Sequence, residues 1–282
     1  MTTEAAERQR RETYEVAEAI APTWEGRRAD VEEVSTPVRE WMLRELSPQG
    51  GDTVLELAAG VGDTGFDAAA IVGERGRLIT TDFSPAMLAA ARRRGAERRL
   101  ANVEYRLMDA ERVELEADSV DGVLCRFGYM LMADPAKALE ETRRVLRPGG
   151  RVTLAVWGTM EQNPFFTIVA ISLTQRGHLP PPEPPGPPVF TMASPERTTA
   201  LLEGAGFSNV RTEDVSVRFE SPNVDEYLSL VSDTSGPLGL ALRGLPGTDH
   251  ATVKADVEDA LAPFAAERGY KLPGVALCAV AN

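Results

Sequence analysis

The sequence predicts an α/β protein built on a doubly wound, mostly parallel sheet of seven strands. Short apolar runs alternate with helical patterns from about residue 53 to 157, and two further apolar runs close the chain. Such alternation is typical of a parallel sheet with helices on both faces. Strands are expected at 53–58, 77–82, 103–108, 120–125, 151–157, 209–219 and 275–281.

Local start and stop signals place the helices between these strands. Ser84 precedes Pro85 and Asp134 precedes Pro135, so each polar residue is expected to cap a helix that begins with proline. The segment from Arg147 to Gly150 (RPGG) is expected to end the second of these helices. Core helices are expected at 63–73, 84–99 and 134–147, and later ones at 163–176, from Ser194, from Asp225 and from Thr252.

We expect one domain in three segments. Residues 1–48 form an N-terminal helical cap, residues 49–160 the ligand-binding core, and residues 161–282 cap insertions and the closing strands. The proline-rich stretch 178–188 cannot enter a helix or sheet interior, so an extended connector is expected, although a ligand for a polyproline-binding partner stays open. About 50 residues separate the last two strands, which suits a cap over a substrate.

Charge and composition limit the class of partner. The chain has 43 acidic and 30 basic residues, and its net charge of −13 repels nucleic-acid phosphates and anionic membranes. We therefore expect neither nucleic acid nor membrane as a partner, while the oligomeric state stays open. The arginines at 92–94 and 98–99 are expected to be a solvated helix face near a helix C-terminus, not an RNA patch.

The two cysteines, Cys125 and Cys278, lie in apolar strand-like runs and match no metal-ligand spacing. They are expected to be free thiols in the core, with no bound metal. Free thiols, together with an N-terminus that lacks the apolar core of a secretory signal, favour a cytoplasmic location.

A glycine motif follows the first strand. The apolar run that contains Glu56 leads into Gly60, Gly62 and Gly65, which open a helix. Glycines at this spacing allow a tight turn and a close approach of the backbone to a nucleotide. Asp82, 20 residues beyond Gly62, ends the second strand, and Asp109 follows the third. Ligands of open α/β sheets bind beyond the carboxyl ends of the strands, so we expect these acids around one crevice.

Glu56 distinguishes between two kinds of nucleotide ligand. A carboxylate beside the glycine turn would repel the pyrophosphate of a dinucleotide, which favours helix N-terminal amides without an anion nearby. S-adenosylmethionine instead carries an ammonium and a sulfonium group, which an acidic residue attracts. The residues at this turn therefore favour S-adenosylmethionine over NAD.

With these motifs the chain resembles the seven-stranded class I S-adenosylmethionine-dependent methyltransferases, in the group of ubiquinone/menaquinone-type and other small-molecule methyltransferases. The similarity covers roughly residues 50 to 160. One departure is Ala59, where many relatives have glycine. The matching pieces are Glu56 with Gly60-Val61-Gly62-Asp63, Asp82-Phe83-Ser84, Met108-Asp109-Ala110, and Leu146-Arg147-Pro148-Gly149-Gly150.

The resemblance implies S-adenosylmethionine as cofactor and S-adenosylhomocysteine as product. Asp82 would bind both ribose hydroxyls, Phe83 would lie against the adenine, and Asp109 would accept a hydrogen bond from the adenine amino group. Glu56 would hold the ammonium directly or through water. The other implied contacts are the backbone of Ala58, Gly60 and Gly62, the side chains of Met108 and Ala110, and the Cys125 carbonyl.

Methyl transfer by displacement needs chiefly an aligned acceptor, and a base only where the acceptor must lose a proton. The catalytic residue is therefore unknown, with His178 and His250 as weak candidates for a general base and surface positions as the alternative. A mainly aromatic set of residues would suit a flat or apolar acceptor, although each member could equally pack in the cap's own core. This set is Tyr14, Trp24, Arg28, Arg126, Phe127, Tyr129, Met130 and Trp157.

Either arginine of this set could instead receive the cofactor carboxylate or an acidic group of the acceptor. Two other functions stay open: an NAD-dependent oxidoreductase or epimerase, and a regulatory protein that binds the cofactor without catalysis. The first is disfavoured by Glu56 and by the lack of an evident Tyr-x-x-x-Lys pair. The sequence leaves open which acceptor is used, and whether oxygen, nitrogen or carbon is methylated.

Overall fold

Seven strands form one sheet in the computed structural model, which describes residues 3–181 and 188–282. The strands are β1 (Thr53–Glu56), β2 (Arg77–Asp82), β3 (Val103–Leu107), β4 (Val120–Arg126), β5 (Leu146–Trp157), β6 (Arg211–Ser221) and β7 (Tyr270–Ala281). The helices of the described ranges are α1 (Thr3–Gly26), α2 (Arg28–Leu46), α3 (Asp63–Val72), α4 (Pro85–Glu97), α5 (Pro135–Val145), α6 (Pro164–Gln175), α7 (Pro195–Gly204), α8 (Val224–Thr234), α9 (Gly236–Arg243) and α10 (Gly247–Leu261).

The strand order is β3-β2-β1-β4-β5-β7-β6. Strands β1 to β5 pair in parallel, whereas β7 lies antiparallel between β5 and β6. The predicted fold class, including the closing strand pair, is confirmed. Because chain order reverses between β1 and β4, the crevice beyond their carboxyl ends is the topological switch point, where open α/β sheets bind ligands.

Alternate strand residues cover the two faces of the sheet. Val54 and Leu78 share a buried cluster with α2 and α3, whereas Leu55 and Ile79 belong to a second cluster with α5 and α7. This alternation follows from the two-residue period of a strand. Since both faces are covered, the carboxyl edge of the sheet is left to build a site.

Several element boundaries differ from the sequence expectation, among them the start of β7, which is Tyr270 and not residue 275. β5 begins at Leu146, not at residue 151, and α5 ends at Val145, because Leu146 already pairs with Val120. A shift in register follows, and the regular pairing resumes where Arg151 pairs with Gly122. The helix expected from Thr252 starts at Gly247, directly after Pro246. Proline fixes its own φ and lacks an N–H donor, so it suits the position before a helix.

The N-terminal segment is helical as expected, but its two helices occupy different places. α2 packs on the sheet and buries Trp41 and Met42, so it belongs to the core layer. α1 instead reaches the cap helices, where the Thr23 hydroxyl donates to the Asp233 carbonyl at 2.9 Å. Of the proline-rich stretch expected to be a connector, residues 182–187 lie outside the described residues.

Helices α8, α9 and α10 form the insertion between β6 and β7. They join the core near the end of β5, where the Tyr227 hydroxyl donates to the Phe165 carbonyl at 2.7 Å. In the parts of the chain that the structure describes, no helix is both long and apolar enough to cross a membrane.

Candidate cofactor and acceptor site

Glu56 lies beneath the glycine loop. Its Oε1 accepts a hydrogen bond from the Gly65 amide at 2.7 Å, and its Oε2 accepts one from the Thr80 hydroxyl at 2.7 Å. Burial raises the pKa of this carboxyl to about 7. A Cβ on residue 65 would lie 2.2 Å from Glu56 Oε2, so only glycine fits there. Glu56 thus fixes the start of α3 against β2, and its expected contact with the cofactor ammonium, directly or through water, stays a prediction.

The loop itself presents backbone toward the crevice. Gly62, directly before α3, has φ +88°, and a Cβ there would lie 2.6 Å from the Phe66 ring. Ala58 also lies in the left-handed region, at φ +49°, a conformation that costs an L-residue about 1–2 kcal/mol. Ala59 fits the turn without change, because its amide donates to the Thr81 carbonyl at 2.9 Å.

Asp82 connects β2 to this loop. Its Oδ2 accepts from the Gly60 amide at 2.8 Å and its Oδ1 from the Ser84 amide at 2.9 Å. Burial, with a smaller contribution from Glu18, raises its pKa to about 6, so the group is still mainly ionised at neutral pH. Each carboxylate oxygen can accept a second hydrogen bond. The arrangement therefore fits the two hydroxyls of a ribose.

A cavity of about 310 Å³ lies next to Asp82, and Phe83, Met108 and Asp109 line it. The edge of the Tyr14 ring points at Phe83, with 5.9 Å between ring centroids. Asp109 Oδ1 accepts from the Glu111 amide at 2.9 Å, which fixes the carboxylate. An aromatic ring, a thioether and a fixed acid suit a purine carrying an amino group.

Arg126, Asp63 and Arg94 form a charged group beside the loop. Arg126 Nε donates to the Thr64 hydroxyl at 2.9 Å, and Arg126 Nη2 lies 3.7 Å from Asp63 Oδ2. Arg94 Nη2 lies 2.6 Å from Asp63 Oδ1, and its side chain is nearly buried. The expectation that residues 92–94 form a solvated face is therefore wrong for Arg94. Its guanidinium instead pairs with the buried carboxylate of Asp63.

A comparison with known protein families agrees with this geometry. Residues 37–168 match the model of the ubiE/COQ5 methyltransferase family. Over these residues the chain is similar to that family of methyltransferases.

Two curated relatives resemble the domain in sequence. A demethylmenaquinone methyltransferase of Clavibacter sepedonicus is 37% identical over 118 residues, which cover 41% of this chain and 45% of that protein. An arsenite methyltransferase of Halobacterium salinarum is 32% identical over 185 residues, or 63% of this chain and 44% of that protein. The chain thus spans less than half the length of either relative.

A solved structure shares the fold of this chain. The YcgJ protein of Bacillus subtilis superposes with a TM-score of 0.59 at 17% identity, covering 86% of this chain and 96% of that one. At this level of identity the likeness concerns the fold alone.

Beside the glycine loop, aromatic rings line the end of β5. Phe127 stacks on Trp157 with 4.2 Å between centroids and 14° between planes, and the Trp157 ring also contacts Phe166 and Phe219. Phe127 has φ +60°, which is unusual for a bulky residue and marks a position fixed by its surroundings. The expected grouping of Phe127 with Trp157 is therefore present.

Four other acceptor candidates lie elsewhere. Tyr129 is fully buried and shares a 2.6 Å hydrogen bond with Thr142, and Met130 is buried with its sulfur 3.5 Å from the Trp157 amide. Trp24 packs between α1 and α4, and Arg28 forms a surface ion pair with Glu97 at 3.2 Å. Burial gives Tyr129 and Met130 a packing role in place of the expected substrate contact, whereas the contacts expected of Trp24 and Arg28 stay predictions.

The remaining candidates are an alanine, a cysteine and two histidines. Ala110 packs against the core cluster beyond β3, and Cys125 is fully buried with a thiol pKa raised to about 12 by burial. His178 follows α6 and lies 3.4 Å from Asp249 Oδ2, whereas His250 is exposed on α10. α6 leaves the crevice edge and spans 12 residues, about 18 Å, so His178 lies far from the glycine loop. The structure therefore brings neither histidine to the crevice.

Sequence reasoning gave no role of their own to three acids that organise the site. Glu18 Oε1 accepts from the Ser84 hydroxyl and from the Ala86 amide, and the buried Glu111 accepts from the Ala133 and Asp134 amides. Glu18 was detectable in part, because it follows Tyr14 by four residues and so shares its helix face. Asp63 stands in the glycine motif, but its pairing with Arg94 and Arg126 has no local signal, since these partners come from distant elements.

Proposed function

We propose that this protein transfers a methyl group from S-adenosylmethionine to a small-molecule acceptor. The observation that carries the proposal is the order of groups along the sheet edge. Asp109 follows β3, Asp82 ends β2, the glycine loop follows β1, and Arg126 ends β4. This order matches adenine, ribose, sulfur and amino acid along the cofactor, which supplies an electrophilic methyl group when bound.

The protein's own contribution is to bind, orient and shield. Asp82 and Asp109 fix the nucleoside, while Glu56 holds the loop so that its backbone keeps one position. Alignment of acceptor and methyl group can account for much of the rate acceleration of a displacement. A proton acceptor is needed only where the acceptor must lose a proton.

The acceptor class we infer is a partly apolar or aromatic small molecule. The Phe127–Trp157 stack offers a flat apolar wall next to the glycine loop, and rings of this kind bind other rings by offset or edge contacts. The net charge of −13 disfavours a polyanionic partner. A cytoplasmic location remains a prediction from the two free thiols.

Arsenite is a second acceptor to consider because of one relative's activity. Trivalent arsenic is soft and favours thiolate ligands. Cys125 and Cys278 are both fully buried, and they lie on β4 and β7 with β5 between these strands. Within this chain they cannot form a thiolate pair, so the structure favours an organic acceptor.

Two alternative functions are an NAD-dependent enzyme and a regulatory protein without catalysis. Glu56 is buried beneath the loop and its pKa is raised to about 7, so its charge argues less strongly against a dinucleotide than the sequence suggests. The case against NAD rests more on the family match and the order of groups. A regulator that binds S-adenosylmethionine without catalysis has the same cofactor contacts and would differ only in turnover.

Isothermal titration calorimetry with S-adenosylhomocysteine and with NAD tests the cofactor. We expect binding of S-adenosylhomocysteine alone; micromolar binding of NAD, with no heat from S-adenosylhomocysteine, would contradict the proposal. Incubation with S-adenosylmethionine and a panel of quinols, phenols and amines, read by mass spectrometry, then tests turnover. Cofactor binding without any methylated product would favour the regulatory alternative.

A further inference from the structure

Arg126 occupies the switch point of the sheet. It is the last residue of β4, and its side chain crosses the end of β1 to reach the first turn of α3, where Nε donates to the Thr64 hydroxyl at 2.9 Å. The guanidinium thus lies beside the glycine loop, at the end of the crevice opposite Asp109.

The charge of Arg126 is only partly compensated. Its side chain is 11% exposed, yet its nearest carboxylate oxygen, Asp63 Oδ2, is 3.7 Å away and already shares its group with Arg94. Among residues 3–181 and 188–282, neither Nη nitrogen of Arg126 has a hydrogen-bonding partner. Burial of a cation costs free energy unless an anion pairs with it.

The position of Arg126 along the sheet edge indicates which anion would pair with it. Neighbouring strands are about 4.8 Å apart, so Arg126 on β4 lies roughly 10 Å from Asp82 on β2, two strands away. If Asp82 holds the ribose, as the proposed function requires, the amino-acid end of the cofactor reaches β4. An arginine with two free Nη nitrogens matches a carboxylate in bidentate geometry.

We propose that Arg126 binds the carboxylate of the cofactor's amino-acid end through its two Nη nitrogens. This inference rests on the proposed function and assigns a residue to one end of that site. Asp63 and Thr64 then act as positioning residues that hold the guanidinium across the crevice. An acidic group on the acceptor could offer the same chemistry, and the experiment separates the two sources.

The test compares two ligands that differ only in the carboxylate: S-adenosylhomocysteine and decarboxylated S-adenosylhomocysteine. Calorimetry is performed on the wild type and on Arg126→Gln. We expect Arg126→Gln to weaken S-adenosylhomocysteine binding by roughly 10- to 100-fold, as for loss of a charge-assisted hydrogen-bond pair. Affinity for the decarboxylated ligand should change by less than about threefold.

Two further variants serve as controls. Arg28→Gln removes a surface arginine of the same charge and should leave both affinities unchanged. Arg126→Lys keeps the charge but loses the bidentate geometry, so it should give an intermediate loss for S-adenosylhomocysteine only. It also keeps the proposal testable if Arg126→Gln fails to fold, as judged by circular dichroism.

Equal losses of affinity for both ligands would overturn the assignment and leave the proposed function intact. No loss for either ligand would also overturn it, and would indicate that Arg126 binds an acidic group of the acceptor. A wild type that binds neither ligand would overturn the proposed function together with the assignment.

Discussion

At the scale of single residues, two buried carboxyls support the crevice. Glu56 and Asp82 are almost fully buried, and each accepts a backbone amide of the glycine loop. Burial raises the pKa of both, which means that folding favours their protonated forms. The residues that shape the site therefore reduce stability at neutral pH, a cost often seen at functional sites.

The first prediction concerns the pH dependence of Glu56. Its carboxyl keeps its proton to about pH 7 in the folded state but only to about pH 4.5 when unfolded. The free energy of unfolding should therefore fall as pH rises from 4.5 to 7, by about 3 kcal/mol from this group. Glu56→Gln, which mimics the protonated acid, should remove this contribution in urea unfolding measured between pH 5 and 8 and leave the slope below about pH 6 that Asp82 causes.

Glu97→Gln, at an exposed position on α4, is the matched control and should retain the wild-type slope. A Glu56→Gln profile that parallels the wild type would show that Glu56 is not the titrating group.

The second prediction concerns Asp82. Asp82→Asn should weaken S-adenosylhomocysteine binding by about 1–3 kcal/mol, because an amide cannot accept both loop amides and both ribose hydroxyls. Calorimetry measures the loss, and thermal unfolding should show a lower Tm as the contact with Gly60 is disturbed.

Asp121→Asn is the control, since Asp121 also accepts a backbone amide, from Thr53 at 2.8 Å, but at the opposite edge of the sheet. It should lower the Tm without affecting binding. Unchanged cofactor affinity in folded Asp82→Asn would remove ribose recognition from this position.

At the scale of elements, α1 lies across the cofactor half of the crevice. Arg10 pairs with Glu111 beyond β3, Glu18 binds the start of α4, and Thr23 binds α8. These contacts come from one helix with a polar outer face, and they bridge segments on both sides of the candidate site. A small apolar cluster, which includes Ile20 and Met87, also packs α1 on α4. Because this cluster is small beside the main core, α1 is suited to open and close over a ligand.

The third prediction follows from this arrangement. S-adenosylhomocysteine with acceptor should slow hydrogen exchange in α1 or in the insertion of α8 to α10, because closure shields the methyl group from water. Arg10→Ala should speed exchange in α1 by roughly tenfold, the effect of losing about 1.4 kcal/mol of local stability.

Arg11→Ala, an exposed neighbour on the same helix, should leave exchange as in the wild type. Equal protection of both segments with and without ligands would instead indicate a preformed open crevice.

At the scale of the whole molecule, the sheet separates two tasks. The candidate cofactor contacts come from β1 to β4, whereas the aromatic wall comes from the ends of β4 and β5 with α6 and β6. Loops and caps on a rigid sheet can vary without disturbing the cofactor site, so specificity usually lies there.

The fourth prediction is that these tasks can be changed independently. Trp157→Leu should raise KM for the acceptor about tenfold through loss of ring stacking and leave S-adenosylhomocysteine affinity unchanged. Asp109→Asn should weaken cofactor binding and leave the KM for the acceptor unchanged. Steady-state kinetics with calorimetry tests both, and a parallel change in both constants for either variant would argue against the separation.

Much of the fold was predictable, because it depends on local patterns. Apolar periodicity located every strand, and Ser84 and Asp134 cap their helices as expected, accepting the amides of Met87 and Lys137. Phe83, Met108 and Asp109 were also placed correctly at one cavity, since consecutive parallel strands end at the same edge.

The sequence by itself determined the sheet, the glycine loop and the strand-end acids, because short-range periodicity and turn chemistry encode them. Only the tertiary structure decided that Glu56 lies under the loop, that Arg94 is buried against Asp63, and that Tyr129 is in the core. Arg126 and Thr64 are 62 residues apart in the chain. Contacts of this kind depend on which elements the folded sheet brings together, and no local pattern records that.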